Sequence, residues 1–239
     1  MQTDMQIKVY VADVNKLEDA ELFLRLYNHV SPERRAKTDR MIFGKDKRLS
    51  LGAGVLLETA LAAEGVTDFT MTVDHNNKPR LVHRDDIRFN ISHSGTKVMC
   101  VVSDHDIGCD VEQVVDIDME IAKRFFFAKE YETLMKCKDR GDRNDLFFRY
   151  WTLKESFMKA TGLGFKLAPD DFCIILDGTD IRVRQKVDDK SYYFREYPLN
   201  DGYMYAVCSA DRLIIPKGVI MYDYNGNGID GDIRYINSE

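Results

Sequence analysis

The stretch that most constrains this chain is residues 147–164, whose sequence FFRYWTLKESFMKATGLG indicates one long helix. Trp151, Glu155 and Lys159 recur every four residues, so they lie nearly in line on one face of that helix. Lys154 lies one position further round. A carboxylate and two ammonium groups beside aromatic residues suit a site that handles a metal ion and a phosphate. A plain Glu155–Lys159 pair on a solvated helix has the same spacing, so the rest of the chain must decide.

Composition indicates a globular protein and excludes several classes. The 239 residues, 44% of them hydrophobic and 31% charged, accommodate two small domains. The net charge of -6 disfavours a general nucleic-acid binder. The five cysteines are scattered without a CxxC pair, which favours reduced thiols in the cytoplasm over a zinc site or a disulfide framework. We expect neither a signal peptide nor a membrane helix, because no apolar run approaches ~20 residues.

The order of the predicted elements indicates an α+β fold in which helices followed by strands occur twice. The first series has a strand at 7–14, a helix at about 17–27, a basic helix after Ser31, a helix at about 46–63, and strands at 69–73, 87–92, 98–103 and 107–111. The second has helices at 119–126, 129–137 and 147–164, a loop at 139–142, and strands at 172–176, 181–187, 192–197 and 203–209. We therefore predict two α+β halves, residues 1–107 and 108–215, and a polar tail over residues 216–239.

Two acids lie together in the segment IGCDVE at residues 107–112. Asp110 and Glu112 are two positions apart on a predicted strand, so their side chains face the same way. Two like charges side by side are unfavourable without a cation or a basic neighbour. Glu155 would add a third carboxylate and complete an oxygen site for Mg²⁺. A solvated strand end that happens to hold two acids is the competing interpretation, and the motif alone favours it.

Several polar and basic residues could bind an anion. The turn after the strand at 87–92 contains Ser92 and His93, whose hydroxyl and ring could hold a phosphate, although a hairpin without a ligand fits equally well. A Ser-His nucleophile pair is disfavoured, because adjacent strand residues face opposite sides. Five cations would together give the positive wall that a polyphosphate needs, although surface cations are usually just solvated. They are Arg34, Lys37, Arg48, Lys78 and Arg80.

Six motifs, taken in order, carry a family resemblance. They are SPERRAK at 31–37, NKPR at 77–80, FNISHSG at 89–95, IGCDVE at 107–112, FFFAKE at 125–130 and WTLKESFMK at 151–159. Together they resemble the Sfp-type (surfactin-type) 4′-phosphopantetheinyl transferases over about residues 5–210. The combination GxDxE and WxxKExxxK, ~40 residues apart and preceded by FNxSHS, is specific, whereas either motif alone is not.

The resemblance implies a fold, a reaction and a set of residue roles. The fold would be two similar α+β halves in a pseudo-two-fold arrangement, with coenzyme A in the cleft between them. The reaction would move 4′-phosphopantetheine from coenzyme A to a serine of an apo acyl or peptidyl carrier protein and release adenosine 3′,5′-bisphosphate. Asp110, Glu112 and Glu155 would hold Mg²⁺, and Asp110, Glu155 and Lys159 would be catalytic, with Glu155 as the candidate base. The positions implied for coenzyme A are Arg34, Lys37, Arg48, Lys78, Arg80, Ser92, His93, Asp110, Lys154 and Lys159.

The family analogy also suggests partners. A carrier protein would dock near residues 117–134, where Lys123, Arg124 and Lys129 suit an acidic surface. A cytoplasmic monomer in secondary metabolism, contacting neither membrane nor nucleic acid, is expected on the same grounds.

Two other functions are compatible with parts of the sequence. One is a module that binds coenzyme A or a carrier without turnover, and the complete set of motif acids and bases disfavours it. The other is an unrelated Mg²⁺-dependent transferase for a small molecule, which leaves FNISHSG and the repeated element order unexplained. A calcium loop starting at Asp223 is disfavoured, since its twelfth position is Arg234 rather than a glutamate.

Overall fold

The computed structural model describes residues 7–210, 215–225 and 232–237. The strands are β1 (Lys8–Asp13), β2 (Met71–Val73), β3 (Pro79–Leu81), β4 (Arg88–Ser94), β5 (Lys97–Ser103), β6 (Ile107–Gln113), β7 (Cys173–Asp177), β8 (Asp180–Arg184), β9 (Tyr193–Glu196), β10 (Tyr203–Ser209), β11 (Gly218–Asp223) and β12 (Asp232–Asn237). The α-helices are α1 (Ala20–His29), α2 (Pro32–Asp39), α3 (Gly44–Ala62), α4 (Met119–Phe125), α5 (Ala128–Lys136) and α6 (Arg140–Thr161). This content confirms the predicted α+β class, while the division into halves and their pseudo-two-fold relation stay predictions.

Four layers stack as helix, sheet, sheet and helix. One sheet has the strand order β12-β11-β1-β5-β4 and the other the order β6-β10-β9. Successive side chains of a strand point to opposite faces of the sheet, and in β1, β5 and β6 the side chains of both faces are buried. In β1, Tyr10 packs with the core around α3, whereas Val9 and Val11 pack with Cys109 and Val111 of β6 in a core shared by the two sheets. Helix α6 covers the other face of the second sheet.

The segment predicted to be a polar tail completes the first sheet. β11 pairs parallel with β1, with Val11 opposite Met221, and β12 pairs antiparallel with β11. The chain thus returns from the second sheet to the edge of the first. Residues 226–231, in the middle of the segment considered for calcium, lie outside the described residues.

Helix α6 begins at Arg140, earlier than the position 147 expected from the aromatic pattern. Asp139 was assigned to a loop, yet its side chain accepts a hydrogen bond from Asp142 N at 3.0 Å and caps the helix. At the other end Gly162 adopts a left-handed conformation with φ 73°, which glycine permits. The predicted hairpin at residues 92–98 is confirmed, with Ser94 opposite Lys97. Residues 79–81 form the short strand β3, which the sequence analysis did not predict.

The two sheets meet along β4 and β6 through side chains rather than a strand ladder. Asn90 Oδ1 accepts a hydrogen bond from Cys109 N at 2.9 Å, and Thr96 N donates to the Tyr203 hydroxyl at 3.0 Å. Lys97 adds ion pairs of 3.2 Å to Asp13 and to Asp201. These contacts fix β4 beside β6, and the polar residues of both strands face one another there. No helix among the described residues is both long and apolar enough to cross a membrane.

We expect Gly108→Ala to lower the free energy of unfolding, because α6 lies directly on β6 at this position. A Cβ on Gly108 would stand 2.1 Å from Ser156 O and 2.4 Å from Ala160 N, and backbone atoms cannot rotate away. Overpacking of this kind costs about 1–3 kcal/mol. Chemical denaturation measures the loss. The control is Gly44→Ala, whose Cβ would have only the end of the Arg48 side chain nearby at 3.6 Å. Equal stability of the two variants would contradict the close approach.

Candidate active site

A polar cluster lies where α6 meets β4 and β6. Asp110 is 2% exposed, and its Oδ1 accepts hydrogen bonds from Ser92 Oγ at 2.6 Å and from Lys159 Nζ at 2.7 Å. Lys159 Nζ also lies 3.0 Å from Ser92 Oγ. Glu112, two residues along β6, accepts from Ser94 Oγ at 2.6 Å. The structure therefore brings together residues that lie up to 67 positions apart in the sequence.

The charges in this cluster are only partly compensated. Burial and the neighbouring Asp110 raise the pKa of Glu112 to about 7, against the hydrogen bond from Ser94 and the charge of Lys159. Burial also raises the pKa of Glu155, one helical turn before Lys159, and Asp110 adds to the effect. Burial opposes the charge of Lys159, but its carboxylate partners outweigh burial and raise its pKa. One ammonium thus faces three carboxyl groups.

The cluster fits an added cation. Asp110 Oδ2 is buried and accepts no hydrogen bond from any part of the chain that the structure describes, and an orphaned acceptor of this kind is costly. Carboxylate oxygens are the ligands that Mg²⁺ prefers. Within residues 7–210, 215–225 and 232–237, however, no three His, Cys, Asp or Glu side chains are already arranged to hold a metal ion. Binding would therefore need small side-chain movements of Glu112 and Glu155.

A cavity of about 390 Å³ opens on the other face of β4. Its basic lining comes from Arg34, Lys37 and His93, against one acid, Asp46, and Met41 and Met71 are among its apolar residues. Burial lowers the pKa of Lys37, and Arg34 adds to this. The pKa of His93 is lowered by burial and by the charges of Lys159 and Lys37, so the ring is neutral near pH 7. An anion in the cavity would relieve this cationic crowding.

Outside the polar cluster and the cavity, four cations of the predicted set already have protein partners, namely Arg48, Lys78, Arg80 and Lys154. Arg48 pairs with Glu18 at 3.2 Å, and Arg80 pairs with Asp74 at 3.2 Å and Asp106 at 2.6 Å. None of the four is among the residues that line the cavity. Contacts of Arg48 and Arg80 with coenzyme A stay predictions.

Two lysines lie deeper than the resemblance implied. Lys78 is 7% exposed and donates to Ile107 O at 3.1 Å, so it ties its loop to the start of β6. Lys154 is 1% exposed and pairs with Glu130 at 2.8 Å in the core beneath α5. A helix turns about 100° per residue, which separates Lys154 from the face of Glu155. The structure therefore does not bring Lys154 to the polar cluster between α6, β4 and β6, which we call the cleft.

Ser94 and Asn90 are site residues that the sequence reasoning missed. Asn90, Ser92 and Ser94 bond to β6, whereas Ile91 and His93 line the cavity, which Asn90 also borders. The signal was present, since every second residue of a strand shares a face and FNISHS alternates polar with bulky residues. Applied to β4, that rule would have separated a side facing the carboxylates from a side facing the cavity.

Comparisons with known proteins show which family the chain belongs to. A family model described as the 4′-phosphopantetheinyl transferase superfamily matches residues 106–208. The 4′-phosphopantetheinyl transferase Sfp of Bacillus subtilis (strain 168) is 32% identical over 223 residues, covering 91% of this chain and 98% of the relative. Another 4′-phosphopantetheinyl transferase of Bacillus subtilis is 33% identical over 78% of this chain and 84% of its own. The transferase gsp of Aneurinibacillus migulanus is 30% identical over 80% and 81%. The chain belongs to the 4′-phosphopantetheinyl transferase superfamily.

We expect Glu112→Gln to stabilise the protein at alkaline pH when divalent cations are chelated. The folded state keeps the Glu112 proton up to about pH 7, whereas an ordinary glutamate releases it near 4.5. The folded state therefore binds more protons within that window, and the free energy of unfolding falls as pH rises through it. Glutamine keeps an acceptor for Ser94 without the charge. The variant should exceed the parent by about 1 kcal/mol at about pH 8, a figure discounted for partial exposure.

Chemical denaturation at about pH 8 and about pH 4.5 measures this difference, which should vanish at the lower pH, where the parent carboxyl is neutral. Added Mg²⁺ should stabilise the parent more than the variant. A difference that does not change with pH would contradict the assignment.

Proposed function

We propose that this chain transfers the 4′-phosphopantetheine group of coenzyme A to a serine hydroxyl of an apo acyl or peptidyl carrier protein, with adenosine 3′,5′-bisphosphate as the leaving product. The observation that carries the proposal is the Asp110 carboxylate, which is held by Ser92 and Lys159 through one oxygen while the other has no hydrogen-bond partner among the described residues. This cluster lies across β4 from a basic cavity. The relatives that cover most of the chain bear the name of this activity.

The cavity suits the nucleotide end of coenzyme A. Arg34, Lys37 and His93 would face phosphate, and the apolar lining would face the purine. His93 would gain a proton when a phosphate arrives, because the lowered pKa of the free ring would rise beside an anion. Ser92, on the opposite side of β4, would stay with Asp110. Arg48, Lys78 and Arg80 are proposed contacts only after they exchange their present partners.

Charge neutralisation and positioning are the main requirements of the reaction. The serine oxygen of the carrier forms a bond to the phosphorus that bears pantetheine, and the bond from that phosphorus to the oxygen of the nucleotide product breaks. Lys159 neutralises charge on the leaving oxygens. Glu155 accepts the serine proton, and its raised pKa brings a carboxylate closer to the range that suits a general base. Mg²⁺ held by Asp110, Glu112 and Glu155 would supply further neutralisation of the pyrophosphate.

The carrier protein is proposed to dock on residues 117–134, which we call the carrier face. Lys123, Arg124 and Lys129 are exposed there. The Arg124 guanidinium lies 5.1 Å from the ring of Phe125, and Lys123 contacts only Glu120 at 3.4 Å among the ion pairs that the described residues form. An acidic carrier surface would complement these cations. Action as a cytoplasmic monomer in secondary metabolism is part of the same proposal.

We expect Asp110→Asn and Glu155→Gln each to abolish transfer while the fold persists, because each removes one of the charges that neutralise or activate the reacting groups. The assay incubates the protein with coenzyme A, Mg²⁺ and an apo carrier and measures the mass of the carrier. The loss should reach at least about 100-fold in rate. Asp145→Asn, an exposed change of the same kind on α6, is the control and should keep full activity.

Three outcomes would count against these assignments. Retained transfer in either variant would remove that residue from the mechanism. An unmodified carrier with the parent protein, across a panel of apo carriers, would favour a binding module instead. Turnover of a nucleotide without any carrier would favour a small-molecule transferase.

Charge reversal on the carrier face should weaken recognition of the carrier but not of coenzyme A. We expect the triple change Lys123→Glu, Arg124→Glu and Lys129→Glu to raise the KM for an acidic carrier by about tenfold or more, because each position becomes repulsive. The KM for coenzyme A should not change. Lys136→Glu with Lys138→Glu, at the far end of α5, is the matched control. An unchanged KM for the carrier in the triple variant would place docking elsewhere.

A further inference from the structure

A buried ion pair lies beneath the carrier face, on a side of α6 that does not face the cleft. Glu130 and Lys154 are each 1% exposed, and Lys154 Nζ lies 2.8 Å from Glu130 Oε2. The same nitrogen donates to Pro169 O at 2.8 Å and to Phe172 O at 2.9 Å. An ammonium has three N–H donors. All three are therefore used, and each bond has a fixed direction.

The carboxylate is held just as fully. Glu130 Oε2 also accepts from Phe127 N at 2.9 Å, and Oε1 accepts from Ile174 N at 2.6 Å. Phe127 is the residue before α5, and Ile174 belongs to β7. The pair thus joins the start of α5, the middle of α6, the turn at 169–172 and the start of β7.

Aromatic side chains pack around the same ion pair. The ring of Phe126 stacks on Phe147 with centroids 5.0 Å apart and on Trp151 with centroids 6.3 Å apart. Lys154 Nζ lies 5.8 Å from the Phe126 ring and 4.3 Å from the Phe172 ring. The segment that leads into α5 therefore packs on α6 within one turn of Glu155.

Stability alone does not explain two charges at this depth. Burial raises the pKa of Glu130 and lowers that of Lys154, and each group is the other's main compensating charge. Buried pairs are often replaced by apolar residues without loss of stability, whereas their directional bonds can select one geometry. An apolar pair would let α6 rotate a little about its axis. The four backbone atoms that bond to this pair fix the directions of both side chains and therefore oppose that rotation.

We propose that Glu130 and Lys154 are positioning residues: they hold α6 at the rotation that presents Glu155 to the cleft, and they link that rotation to residues 125–127 of the carrier face. This inference rests on the proposed function, because it assigns a role within the transfer reaction. A carrier that docks on the segment before α5 contacts residues whose hydrogen bonds to Glu130 also orient the catalytic helix. The lysine next to the catalytic glutamate thus acts from inside the protein, without touching coenzyme A.

The test replaces the charges without leaving one of them alone. Glu130→Gln combined with Lys154→Met keeps similar volumes and an acceptor for one backbone N–H. We expect this folded double variant to lose about 100-fold in kcat, the effect of a misplaced catalytic group, with an unchanged KM for coenzyme A. Trp151 is the only tryptophan in the chain, so its fluorescence reports on the packing between Phe126 and α6. Its emission should shift to longer wavelength.

The control is a second ion pair on the same helix. Arg149 Nη2 lies 2.8 Å from Glu196 Oε2, and both side chains are partly exposed. Arg149→Met with Glu196→Gln should keep kcat and the Trp151 emission. If the double variant of the buried pair does not fold, Glu130→Asp is measured by the same criteria, since it keeps both charges and moves the carboxylate by one methylene group.

The outcomes separate this inference from the proposed function. A variant of the buried pair with the kcat and emission of the parent overturns the positioning role while transfer by the parent stands. A parent protein that modifies no carrier overturns the proposed function, and the Trp151 emission then decides whether the pair fixes α6. Loss of thermal stability with unchanged kcat shows a structural role only and also overturns the inference.

Discussion

The contact of α6 with β6 at Gly108 is the constraint on which the site depends. Without a side chain at Gly108, the backbone of the helix comes close enough for Lys159 to reach Asp110 at 2.7 Å. A helix that packs on a sheet is ordinarily separated from it by a layer of side chains. Here one position of that layer is missing, and a charged side chain spans the gap beside it. The missing side chain of Gly108, the glycine of GxDxE, therefore allows the contact of Lys159, the second lysine of WxxKExxxK, with Asp110.

The two lysines of α6 show how neighbouring positions of one motif acquire opposite roles. Lys159 lies at the cleft and is attracted by a cluster of carboxylates, so its pKa rises despite burial. Lys154 lies in the core, where burial lowers its pKa and its bonds are to one carboxylate and two carbonyls. Sequence spacing places both on the helix but does not say which face is buried. That depends on where the turn at 169–172 and α5 pack against it.

Local patterns were enough for much of the fold and for the centre of the site. The spacing of Asp110 and Glu112 predicted that both face the same way, and the family resemblance added Glu155 to them; in the structure the three carboxyl groups are close enough to affect one another's pKa. The serine N-cap at Ser31 and the hairpin at residues 92–98 follow from short-range chemistry. The parallel pairing of β11 with β1 could not be predicted in this way, because the partners are about 210 positions apart. The start of α6 at Arg140 was missed because Asp139 reads equally well as a loop residue or a cap.

The charge imbalance at the cleft connects stability with ligand binding. Three carboxyl groups share one ammonium, and one buried oxygen of Asp110 has no partner within the described residues. Such an arrangement costs stability in the free protein, and any cation bound there stabilises the folded state by mass action. On the other face of β4, the cations around the cavity repel one another and would be relieved by an anion. A ligand that carries a phosphate and brings a divalent cation relieves both imbalances at once. The free protein thus leaves charge incompletely compensated at the two places where coenzyme A and its metal ion are proposed to bind.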